Sequence, residues 1–269
     1  MSRELPKPEH ARNMRLLGHT DMGGRPDGQQ VMVNQGYAYV GHMFSQGLSV
    51  IDVRDPRAPE PVEYLSCPDG TWSLHLQSAD GLLLVANAQD LGRVKTLEDD
   101  RQYYSGSMSA RLQGESGRGY AAGVLIYDTS DPAAPREVGF AAVEGVGVHR
   151  VWYVGGRWAY VSAMPDGWSD FIFMTLDVSD PTQPQWGGSF WLSGMHTAGG
   201  ETPTWGELRY SCHHGIVSGD TAYVTWRDGG VTTSSTSPTA PDRRLSRIAR
   251  GAHRSGVART TRCRCRTVT

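Results

Sequence analysis

Apolar positions in this chain fall in short β-branched and aromatic runs separated by turn residues, with no sustained helical spacing. Three of these runs are nearly the same line. They read Gly-Leu-Ser-Val-Ile-Asp-Val-Arg-Asp-Pro-Arg-Ala-Pro at 47–59 and Gly-Val-Leu-Ile-Tyr-Asp-Thr-Ser-Asp-Pro-Ala-Ala-Pro at 123–135. The third is Phe-Ile-Phe-Met-Thr-Leu-Asp-Val-Ser-Asp-Pro-Thr-Gln-Pro at 171–184. Each predicts a buried strand stopped by Asp-Pro, because proline cannot donate to a ladder and biases its predecessor to extended geometry. The aspartates (Asp52, Asp128, Asp177 and Asp55, Asp131, Asp180) are expected to accept turn N–H groups.

The same neighbours surround each line. A hairpin precedes it: Gln29–Val33 with Tyr37–His42, Trp72–Gln77 with Leu82–Asn87, and Val148–Val154 with Trp158–Ala163. One more strand follows, at Pro61–Leu65, Arg136–Ala141 and Gln185–Trp191. Four antiparallel strands in up-and-down order make one blade of an all-β propeller. Proline and charge in the last strand (Pro59, Pro61, Glu60, Glu63, Arg136, Glu137) suit an outer edge that refuses further pairing. The first strand is then the inner one. Blades are expected at 27–65, 72–141, 146–191 and 209–232, the second carrying an insertion at 88–120, all within one propeller at 1–232.

The Val-Ile-Asp-Val-x-Asp-Pro-x-x-Pro lines resemble LVIVD repeats, a bacterial and archaeal β-propeller family. The resemblance covers about residues 14–232. It implies a propeller and no particular reaction.

Composition narrows the partners. A net charge of −2 gives no case for nucleic acid or an anionic membrane surface. No stretch is long and apolar enough to span a bilayer, and the start at Met1 lacks an apolar signal core, so a cytoplasmic location is expected. Cys67 and Cys212 fall in different units, which fits reduced thiols.

The fourth unit starts normally at Tyr210 and then departs. Where another Asp line is due, the chain reads Ser234-Ser-Thr-Ser-Pro238. The codons ATC CTC GAC GTC TCC GAC encode Ile-Leu-Asp-Val-Ser-Asp; read one base out of register, they give Ser-Ser-Thr-Ser-Pro. Residues 233–269 are therefore expected to be an out-of-frame, disordered tail, leaving three full blades and part of a fourth. On that reading Cys263, Cys265 and the Arg-rich end form neither a metal site nor a nucleic-acid arm.

Chemistry is expected on the face where the blade-to-blade crossovers and the second-to-third-strand loops open. The lead-in 18–25 offers His19, Asp21 and Arg25 as catalytic candidates, with Arg150 beside them. Trp168, Trp205, Tyr103 and His213 are candidates for substrate contact. Aligning the hairpins on Tyr39, Leu84, Tyr160 and Tyr223 sets His75 opposite His214 and His149 opposite Cys212. Period-two alternation then gives His75, His149 and His214 one parity and His213 the other. Three axial imidazoles would suit a divalent metal such as Zn²⁺ or Mn²⁺, whose bound water becomes a hydroxide near neutral pH. A histidine recurring once per blade also has a simpler use as a structural hydrogen-bonder. Two function classes fit. One is a small-molecule enzyme acting in the axial pocket by hydrolysis, lactone opening or isomerisation. The alternative is a non-catalytic propeller scaffold that binds a protein or peptide.

Overall fold

A computed structural model describes residues 11–93, 108, 119–235 and 247–249. Sixteen strands are described among them, grouped as four units of four. Unit one holds β1 (Gly28–Asn34), β2 (Tyr37–His42), β3 (Gly47–Asp52) and β4 (Glu60–Ser66). Unit two holds β5 (Thr71–Ala79), β6 (Leu82–Gln89), β7 (Gly123–Asp128) and β8 (Arg136–Ala142). Unit three holds β9 (Gly145–Trp152), β10 (Trp158–Pro165), β11 (Ile172–Asp177) and β12 (Gln185–Phe190). Unit four holds β13 (Ser211–Ser218), β14 (Thr221–Arg227), β15 (Gly230–Ser235) and β16 (Arg247–Ala249). Every neighbour pair is antiparallel, and a single bridge, Ala88 to Gly147, links units two and three.

The first strands touch in sequence, β1 on β5, β5 on β9 and β9 on β13. They are the inner strands about an axis, and the fold is an all-β propeller, open at its two end faces. The outer strand of unit one carries its residues largely exposed. Position 233, the expected break, falls inside β15, which pairs with both β14 and β16. Residues 236–246 and 250–269 of that expected tail, and most of the 88–120 insertion, lie outside the described residues.

Local chemistry explains the repeat. Asp52, Asp128 and Asp177 each accept the N–H two residues on, from Arg54, Ser130 and Ser179 at 3.0, 2.8 and 3.0 Å. Asp55, Asp131 and Asp180 do the same for Arg57, Ala133 and Thr182, so each Asp line closes as two linked Asx turns. The hairpin turns Gln35-Gly36 and Asp80-Gly81 have both central residues at positive φ, the mirror-image turn whose twist matches the strands.

Two cores hold the units together. Tyr37, Tyr39, Leu48 and Val50 of unit one pack on Leu76, Leu83 and Val85 of unit two. Leu84, Ala86 and Val124 of unit two continue into Val148, Val151, Val161 and Phe173 of unit three, and on to Val224 and Trp226 of unit four. Side chains of these kinds stabilise by about 1.5–3 kcal/mol each when fully buried. The face-to-face stacking of units is therefore the main adhesive.

Candidate functional site

The inner strands share a defect that sets the site. Each carries a β-bulge at the same place, between Gly28 and Gln30, Trp72 and His75, Val148 and Arg150, and Cys212 and His214. A bulge sets two residues against one and re-aims the side chains around it. Gln29, His149 and His213 are the extra residues. Gln30, His75, Arg150 and His214 are the first to pair again, with Gly41, Ala86, Ser162 and Thr225.

This register corrects the alignment expected from sequence. Gln30, His75 and His214 pair 11 residues on, but Arg150 pairs 12 residues on, because the hairpin of unit three is one residue longer. The equivalent of His149 is thus His213, not Cys212. Period-two parity fails because the bulge interrupts it. His213 joins the cluster that parity had placed it outside.

The imidazoles meet as two pairs. His75 and His214 lie edge to face at 5.4 Å between centroids, and His149 and His213 at 5.3 Å. Trp152 walls His214 at 6.0 Å and Phe171 flanks His149 at 5.6 Å. The His75 Nδ1 accepts the buried N–H of Val151 at 3.2 Å, which puts the His75 proton on Nε2. His214 Nε2 is buried with no hydrogen-bond partner, and His213 is exposed.

All four rings are held neutral. Burial, then the Arg150 cation, then the other imidazoles push His75 down to about 2. Burial, Arg150, His213 and Arg209 push His149 to about 3. His213 is lowered by burial, Arg150 and Arg227, and His214 by burial, Arg150 and His213 against a weaker opposing backbone contact at Val151. Among the described residues, the charges that move these rings are arginines and the other imidazoles. Asp170, the nearby acid, is taken up by Arg209 in a buried two-point ion pair at 2.6 and 3.1 Å.

The metal expectation meets an unfavourable setting. Among the described residues no three His, Cys, Asp or Glu side chains are grouped so as to hold a metal ion. One nitrogen of His75 is already engaged, and the Arg150 cation acts on all four rings.

The other candidates are elsewhere. His19, Asp21 and Arg25 lie on the lead-in over unit one. His19 is exposed, Asp21 caps Gly23 N–H at 3.2 Å, and Arg25 stacks on Tyr64 of β4 at 3.6 Å. Of the three, Arg25 is thus seated on the outer strand of unit one rather than on β5, β9 or β13. Trp168 stacks on His196 at 4.2 Å and meets Trp191 edge-on at 4.6 Å, while Trp205 stacks on Tyr210 at 4.6 Å. Glu201 pins that loop by accepting from Gly194 N–H and His196 N–H at 2.8 and 3.1 Å. These tryptophans are packed into the rim. Tyr103 lies outside the described residues.

Sequence reading missed one constellation. Asp27 Oδ1, His42 Nδ1 and Nε2, and Ser49 Oγ form a line with spacings of 3.1 and 2.8 Å. It has the order of a catalytic triad, but Ser49 is 1 % exposed and His42 fully buried, so no substrate reaches the hydroxyl. Asp27 also accepts from the N–H groups of Phe44 and Ser45 at 2.6 and 2.7 Å. The line ties loop 43–46 to the start of β1 and is structural. Its members are scattered over 23 positions without a motif, which is why the sequence hid it.

The family model of the LVIVD repeat matches residues 27–67. The match takes in all four strands of unit one. Units two and three carry the same Asp-Pro line on the same four strands. No protein with a curated description matches the chain. Among solved structures it is similar to the Bacteroides ovatus xyloglucan PUL GH43B, with TM-score 0.40 and 15 % identity, over 80 % of this chain and 40 % of that one. It is also similar to a putative 6-phosphogluconolactonase from Bacteroides fragilis, with TM-score 0.36 and 11 % identity, over 82 % and 67 %. The N-terminal domain of Nup159 gives TM-score 0.31 and 7 % identity, over 84 % and 63 %. The chain thus spans 40 % of the length of the first of these. Likenesses this slight carry no argument about activity. Among the described residues no helix is long and apolar enough to cross a membrane.

Proposed function

We propose that the axial histidine cluster binds a small anionic molecule and acts on it by metal-free proton transfer. One observation carries this reading. Arg150 is the leading charged influence on all four imidazoles, and it lowers each of them. A guanidinium whose field reaches four neutral imidazoles gives the cluster a positive potential suited to a carboxylate or phosphate group.

The anion would also set the chemistry. With its charge beside Arg150, the imidazole pKa values rise toward the range where a ring can accept and return a proton. His213, the exposed member, is the ring a ligand reaches first, with His149 behind it. Such a pair suits isomerisation, where a proton leaves one carbon and returns to another. It equally suits lactone opening, where a ring nitrogen takes the proton of the attacking water and delivers it to the leaving oxygen.

The test is Arg150→Gln, with inorganic phosphate and glycolate as probes. Binding by calorimetry should weaken at least about tenfold, roughly 1.4 kcal/mol, and imidazole pKa values read by NMR should rise. Unchanged binding would overturn the assignment. Stoichiometric metal in the purified protein, lost on His75→Ala, would favour a metal centre in its place.

A further inference from the structure

The geometry points to a second role within the cluster: the Val151 main chain holds His75 and His214 in opposite tautomers, and this pair reads a hydroxyl on the bound anion. The inference rests on the anion reading above and adds the ligand class, a small hydroxy acid.

The clamp starts from a backbone edge. Val151 pairs with Val161 of β10 and is fully buried. Its N–H goes to His75 of unit two and not to β10. Val151 and Val161 are therefore a non-hydrogen-bonded pair, in which both polar groups of a residue point away from the partner strand. Backbone groups buried this far are almost always paired, so side chains have to meet both.

His75 meets the N–H. A main-chain N–H only donates, so His75 Nδ1, at 3.2 Å, is the bare nitrogen and the proton sits on Nε2. His214 meets the C=O from the other side. Its hydrogen bond to the Val151 backbone favours the charged ring, as bonding to an acceptor does. His214 Nε2 is buried without a hydrogen-bond partner, so the nitrogen that donates to Val151 is Nδ1. A neutral ring protonated on Nδ1 carries a lone pair on Nε2.

Two fixtures hold His214 in that pose. Thr225 Oγ1 accepts the His214 N–H at 3.2 Å and donates to the His214 C=O at 3.0 Å, which pins the backbone at the bulge. Trp152, next to Val151, meets the His214 ring edge to face at 6.0 Å.

The result is a matched pair. The two rings lie 5.4 Å apart between centroids, one with an N–H to give and one with a lone pair to fill. A buried nitrogen left without a partner carries a desolvation cost, and a ligand that supplies the missing proton recovers it. A bare carboxylate accepts from His75 but brings no proton for His214. A bare alcohol brings the proton but no charge for Arg150. A hydroxy acid brings both: an oxygen accepts from His75 Nε2, and the hydroxyl donates to His214 Nε2.

Two measurements test this on the full chain. Long-range proton–nitrogen NMR correlation of the imidazoles at pH 7.5 reads each tautomer, with His75→Gln and His214→Gln to assign the signals. The proton is expected on Nε2 of His75 and on Nδ1 of His214, and any other assignment would overturn the clamp. Calorimetry then compares glycolate with acetate, which has the same charge and no hydroxyl. Glycolate should bind about fivefold tighter, the scale of one net hydrogen bond. That preference should vanish in His214→Phe. Equal binding of the two acids, both weakened by Arg150→Gln, would leave the anion site standing and overturn the hydroxyl subsite, as would a preference that survives His214→Phe. Binding of neither acid would remove the anion site and the subsite with it.

Discussion

The imidazole of His75 caps the main-chain N–H of Val151 in the neighbouring unit, as the amide of Gln30 caps Leu76 one unit earlier. Glutamine and histidine thus do one structural job at one register position. His75→Gln should keep the contact and stay within about 1 kcal/mol of wild type, whereas His75→Ala leaves a buried N–H unmet at a cost of about 1–3 kcal/mol. Urea midpoints at pH 7.5 measure both. If glutamine proves as damaging as alanine, the capping role is wrong.

The same burial predicts acid sensitivity. His75 near 2 and His149 near 3 lie far below the roughly 6.5 of a free imidazole. Between those values the unfolded chain binds protons that the folded chain refuses. Stability is therefore complete above about pH 6.5 and falls as pH drops, by up to about 1.4 kcal/mol per pH unit for each ring. Asp27 and Asp177 are held below the usual carboxylate range, so their contribution is lost only below about pH 4, under the pH 7.5 to 5.0 range in which the histidine effect is read. Urea midpoints from pH 7.5 to 5.0 should decline, and less steeply in His75→Gln.

The Asp27–His42–Ser49 line should behave as structure. His42→Ala strands two polar groups and should cost about 2–4 kcal/mol in thermal or urea unfolding. Burial pushes the His42 pKa down against the pull of Asp27, so the ring is expected neutral in the fold. A serine-directed fluorophosphonate should leave Ser49 unlabelled. Stoichiometric labelling would make the line a reactive site after all.

Arg209 and Asp170 form the most buried ion pair described, at 4 % and 1 % side-chain exposure. It fastens the loop before β11 to the chain entering β13. Arg209→Met should destabilise by about 3–5 kcal/mol by stranding the carboxylate, and the double change with Asp170→Asn should recover part of that loss. Equal stability of single and double variants would contradict the pairing role.

Much of the wheel was legible in the residues. The Asp-Pro lines stop strands through local turn chemistry, so period-two runs and proline placed β3, β7 and β11 within a residue of where they lie. The equivalence of His75 and His214 was likewise readable, because their hairpins have equal length. The bulges were not, since an extra residue in one strand leaves no compositional trace. The bulges excluded His213, and the one extra residue in the hairpin of unit three misassigned His149. Arg25 misled for another reason: a cation on a lead-in loop goes where packing takes it, here onto Tyr64.

Proton linkage on anion binding tests the central claim most directly. If a phosphate group lands beside Arg150, the neighbouring imidazoles gain affinity for protons, so binding must take up protons and tighten as pH falls. Calorimetric titration with inorganic phosphate at pH 6.0, in buffers of different ionisation heat, reads that uptake. The account predicts net uptake beyond that of the phosphate itself, lost in Arg150→Gln. Binding with no such uptake, or uptake indifferent to Arg150, would contradict it.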